Sequence, residues 1–65
     1  MSIARVIEIS AESPESFEAA IRRGIEDAKR DIPKVEGVWI KDQQLVNDGG
    51  VSTFRVDMKF TCVQD

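Results

Sequence analysis

The 65-residue sequence predicts an α+β domain of order β-α-β-β, a three-stranded antiparallel sheet packed around one helix. Three observations carry that prediction. Residues Val51–Val63 alternate apolar and polar side chains, an amphipathic stripe runs through positions 17–32, and an Asn-Asp-Gly-Gly turn separates two strand-like segments. A period of two over a dozen residues is a strand with one buried and one polar face, whereas steps of three and four mark one face of a helix.

The last strand organises the rest. Phe54, Val56, Met58, Phe60 and Cys62 form its apolar face, and Arg55, Asp57, Lys59 and Thr61 its polar face. The first strand is expected over Ala4–Ser10, with Ile7 and Ile9 on one side and Val6 on the other. Ser13-Pro14-Glu15 then reads as a helix start: a hydroxyl to cap a first-turn N–H, a proline where its missing donor costs nothing, and an acid at the positive end. The helix is expected from Pro14 to about Asp31, ended by Ile32-Pro33.

Phe17, Ala20, Ile21, Ile25, Ala28 and Ile32 trace the inward stripe, while Glu18–Arg22 and Glu26–Arg30 are favourably ordered pairs on a solvated face. Gly24, beside the stripe, reads either as a point of close approach or as a tolerated surface glycine.

The second strand is expected over Val35–Val46, followed by the turn Asn47–Gly50. A three-residue loop, Asp48–Gly50, places Ile40 against Met58 and Val38 against Phe60 on the core side. It places Trp39 against Lys59, Lys41 against Asp57 and Gln43 against Arg55 on the other. The third strand is expected between the first two, antiparallel to both, with the helix over the even-numbered apolar face.

Composition bounds function. Twelve acidic against nine basic residues give net charge −3, which argues against nucleic acid as the main partner. No apolar run is long enough to span a membrane. One cysteine and no signal peptide suggest a reducing cytoplasm. There is no histidine, no nucleophile with a base beside it and no phosphate-binding glycine loop, so no catalytic residue is assigned and the chain is expected not to be an enzyme. A single domain of this size buries only about 60% of its unfolded surface, and no metal site or disulfide staples it. Self-association is therefore expected.

Several stretches carry a resemblance: VIEIS…SPESFEAAI near the start, Asp42–Gln43, the glycine turn, and FRVDMKF in the last strand. Over nearly its whole length the chain resembles the dodecins, small strand–helix–strand–strand proteins that assemble into hollow homododecamers. The resemblance implies non-catalytic binding or storage of a small molecule, a flavin (FMN or riboflavin) in the best-known members. Their flavin-stacking Trp falls on Gly37 here, and their flavin-bonding Gln on Arg55. The chain is thus more similar to the subgroup lacking these residues, for which ion binding has been proposed, and weak flavin binding at best is implied.

The candidate cofactor-binding residues are Trp39, Gln43, Arg55 and Lys59, an aromatic platform beside cations suited to a flat, anionic ligand. Two readings of Trp39 stay open, ligand platform and subunit-interface anchor. Asp42, Asp48 and Asp57 are carboxylates that symmetry could gather around a cation, but their spacing matches no calcium loop and no metal ligand is assigned.

Overall fold

The alternation in β3 (Val51–Gln64) is realised as a long central strand. β1 (Ile3–Ser13) and β2 (Val35–Asp48) flank it, both antiparallel to it, in the order β1-β3-β2. Helix α1 (Phe17–Asp31) covers one face, giving the β-α-β-β architecture expected. The structure, a computed structural model, describes residues 3–32 and 34–64. Pro33, expected to stop the helix, lies outside the described residues.

Even-numbered residues of β3 face the helix as expected. Val56, Met58 and Phe60 have no exposed surface, and Cys62 retains 5%. Against them α1 presents Ala20, Gly24 and Ala28, one small residue per turn and all buried. A methyl group added at Gly24 would run into the Met58 methyl and come within 3.1 Å of the Ala11 Cβ. Gly24 is thus a point of close approach, and helix and sheet nest because the bulk comes from the sheet. Phe17 closes the start of this interface edge-on to Phe54, with ring centroids 4.9 Å apart.

The helix start and the end of β1 differ from expectation. The helix begins at Phe17 rather than Pro14, and its cap is Ser16, whose hydroxyl accepts from Ala19 N at 3.0 Å. Ser13 is instead the last residue of β1, paired with Phe54, and its buried hydroxyl accepts from Glu15 N at 3.1 Å. Pro14 explains this, because a residue preceding proline is driven toward extended backbone. On the exposed face Glu18 pairs with Arg22 at 3.2 Å, but Arg30 meets Asp27 at 3.8 Å rather than Glu26.

The hairpin is also tighter than expected. Gly49 and Gly50 have φ of 60° and 83°, the backbone of a two-residue type I′ connection, so Asp48 pairs with Val51. That alone would shift every β2 side chain to the wrong face. A β-bulge corrects it: Lys41 is left unpaired between Ile40↔Met58 and Asp42↔Asp57. Beyond the bulge the expected pairs Ile40–Met58, Trp39–Lys59 and Val38–Phe60 all form. The expected pairs Lys41–Asp57 and Gln43–Arg55 do not, being replaced by Asp42–Asp57 and Gln44–Arg55.

Candidate functional site

With the helix on one face, the other face of the sheet is open, and its side chains fall into rows across β1, β3 and β2. The rows are Val6–Thr61–Gly37, Glu8–Lys59–Trp39, Ser10–Asp57–Asp42 and Glu12–Arg55–Gln44, with Lys41 beside the third. Trp39 is 63% exposed and Val6 58%, a large apolar surface for one side of a small chain.

Lys59 extends over Trp39, its Nζ 5.5 Å from the ring centroid, so these two candidate residues are brought together. Arg55 lies two rows away and is held elsewhere: its Nε and Nη2 both reach Oε2 of Glu12, at 2.7 and 2.6 Å. Gln43 is a correction. The bulge turns it to the helix side of the sheet, opposite Val56, and Gln44 occupies the place expected for it. The Gln44 amide donates to Asp42 Oδ2 at 2.8 Å.

Glu8, Ser10 and Glu12 join the site without having been candidates, and Lys41, expected on this face opposite Asp57, is bonded to Glu8 instead. Lys41 Nζ crosses β3 to donate to Glu8 Oε1 at 2.8 Å, and Ser10 Oγ donates to Asp57 Oδ1 at 2.6 Å. The hydrogen bond and charge of Lys41 hold the Glu8 carboxyl below its ordinary pKa, and the same bond and charge of Glu8 raise that of Lys41. A hollow of about 260 Å³ opens here, lined by Glu8, Ile9, Ser10, Lys41, Asp57 and Met58. The Val6, Glu8, Ser10, Glu12 alternation of β1 was the available signal for three of these residues. The bulge that carries Lys41 had none.

Gly37 sits in the row next to Trp39, where any Cβ would stand 2.7 Å from Thr61 Oγ1. A bulky side chain at this position requires Thr61 to turn away. Asp42 and Asp57 lie directly opposite one another, a like-charge pair that costs stability unless countered. Among the described residues, no three or more His, Cys, Asp or Glu are grouped so that they could hold a metal ion, and the Asp48 side chain lies outside what is described. No described helix is long and apolar enough to cross a membrane.

The sequence model of the family described as Dodecin matches residues 3–65. A dodecin from Streptomyces davaonensis is 26% identical, with a TM-score of 0.86 over 98% of this chain and 96% of that one. A calcium dodecin from Mycobacterium tuberculosis, described as calcium chelating with a novel calcium-binding site, is 23% identical, with a TM-score of 0.83 over 91% and 86%. A T. thermophilus dodecin variant is 18% identical, with a TM-score of 0.86 over 100% and 97%. The last two likenesses bear on the fold alone. A search of curated proteins returned no match.

Proposed function

The chain belongs to the dodecin family, and on that footing we propose that it is a non-catalytic small-molecule binding or storage protein, twelve copies of which close into a hollow shell. Its main partner in this reading is a further copy of itself, with neither nucleic acid nor membrane involved. The cytoplasm is the compartment that keeps its buried Cys62 thiol reduced. The ligand is a flavin, riboflavin or FMN, or a related flat cofactor, held on the Trp39 face where subunits meet. The observation that carries this is an indole left 63% exposed on an open sheet face with a lysine ammonium over its ring. A lone subunit has nothing to cover it, and a flat heteroaromatic ring is the group that stacks best on such a platform.

Binding is expected to be weak, because Gly37 and Arg55 stand where flavin-binding relatives are expected to carry their Trp and Gln. Riboflavin added to the purified protein tests this, since indole quenches a stacked flavin by electron transfer. Quenching that Trp39→Ala abolishes, with the assembly intact, supports the reading. Loss of assembly in Trp39→Ala, with no quenching in the parent, assigns Trp39 to the interface instead. Submicromolar affinity in the parent overturns the expectation of weak binding.

A second reading, a flavin-free dodecin acting as a structural or ion-binding assembly, is favoured by one observation. Asp42 and Asp57 oppose each other on the open face and call for positive charge between them. A colourless preparation that takes up calcium in a calorimetric titration, with the heat lost in Asp42→Asn, supports it over the first.

A further inference from the structure

Two of the three cations in the central rows of the open face are already committed to carboxylates. From the Glu8 row to the Arg55 row the face carries Lys41, Arg55 and Lys59 against Glu8, Glu12, Asp42 and Asp57. Lys41 is bonded to Glu8 at 2.8 Å and Arg55 to Glu12 at 2.6 Å. Lys59, paired in the ladder with Glu8, lies over the indole. Among the described cations of these rows only Lys59 carries no carboxylate bond, and its ammonium already lies over the indole, where a ring stacking on that face must push it aside. To gain Lys41 or Arg55 an anionic ligand must displace a carboxylate from a short charge-assisted bond, and the freed carboxylate stays nearby to repel it. A phosphate, at about −1.5 to −2 charges, fares worst. A neutral ring needs neither exchange, and a cationic ring gains from both the indole face and the surplus carboxylate.

We propose that Glu8 and Glu12 are specificity-determining residues: by occupying Lys41 and Arg55 they make the Trp39 platform select flat aromatic rings that are neutral or cationic and reject phosphate-bearing ones. This rests on the reading of Trp39 as a ligand platform, and it reverses the preference for anions that the sequence alone suggests.

Two measurements on the assembled protein test it, both read from Trp39, the single tryptophan of the chain. In the first, riboflavin, FMN and the planar cation proflavine are titrated separately. Riboflavin is expected to bind about tenfold more tightly than FMN, and proflavine at least as tightly as riboflavin. Glu8→Gln and Glu12→Gln should each narrow the riboflavin-to-FMN ratio about threefold or more by strengthening FMN binding. Equal or tighter binding of FMN by the parent, or a ratio unmoved by both variants, overturns the proposal.

The second measurement needs no ligand: with each quenching constant divided by that of free N-acetyltryptophanamide, caesium should quench Trp39 emission more strongly than iodide, with the order shifting toward iodide in either variant. If no ring binds, the ligand reading fails, yet the ion quenching still decides the charge claim. Iodide quenching equal to or above caesium on that normalised scale overturns that claim, and an indole silent to both ions and to neutral acrylamide overturns it as well, because the platform is then closed.

Discussion

Trp39 and Lys59 face each other across the β2–β3 ladder, with the lysine Nζ 5.5 Å from the centre of the indole ring. The contact survives a two-residue hairpin loop only because the Lys41 bulge restores its register. A double-mutant cycle between Trp39→Ala and Lys59→Met is expected to give a coupling of about 0.5–1 kcal/mol, the range for an exposed cation–π pair. Additive effects of the two substitutions would show that the geometry carries no energy.

Phe60→Ala should be among the costliest single changes in the chain. The ring has no exposed surface and faces the helix between Met58 and Cys62. A loss of about 3–5 kcal/mol is expected in chemical denaturation at fixed protein concentration. A loss below about 1 kcal/mol would contradict the burial of this face.

Gly24→Ala sets two effects against each other. Alanine favours a helix interior by about 1 kcal/mol over glycine. Its methyl group must also displace the end of a fully buried Met58 and sits 3.1 Å from Ala11 Cβ. Overpacking costs of about 1–3 kcal/mol outweigh the propensity gain, so a net destabilisation is expected on denaturation. Stabilisation by about 1 kcal/mol would mean that Gly24 behaves as an open surface position.

The Glu8–Lys41 pair predicts opposite pH limbs. Folding lowers the pKa of Glu8, so its contribution is present above the ordinary glutamate value and disappears as pH falls through the lowered folded value. Folding raises the pKa of Lys41, so its contribution is complete below the ordinary lysine value and disappears as pH rises through the raised one. Lys41→Met should therefore flatten both limbs in a series of denaturation midpoints against pH. About half of each side chain remains in water, so the effect is small, and parallel curves for parent and variant would contradict the pair.

Fold order and core were legible because they depend on periodicity. Val56, Met58, Phe60 and Cys62 alternate without interruption, and Ala20, Gly24 and Ala28 recur at every helical turn. The expected strand order followed from chain connectivity. The site was less legible because it depends on register. Gly49-Gly50 allows either a two- or a three-residue loop from composition alone, and the compensating bulge at Lys41 leaves no periodic trace. That one residue decides whether Gln43 or Gln44 joins Arg55. The pairing of Arg55 with Glu12 was invisible for a different reason: it joins residues 43 positions apart through a ladder whose register was not yet known. The helix start was misread because SPES offers two serines, and only the extended preference of the residue before Pro14 separates them.

The most direct test of the account is the mass of the native protein in solution. Val6, Trp39, Leu45 and Val51 are each more than half exposed in the single chain, on a molecule about 50 Å long and under 20 Å thick. Surface of that kind is stable in water when other copies cover it. Light scattering at micromolar concentration should return twelve times the mass of one chain. A folded monomer at that concentration would contradict the account.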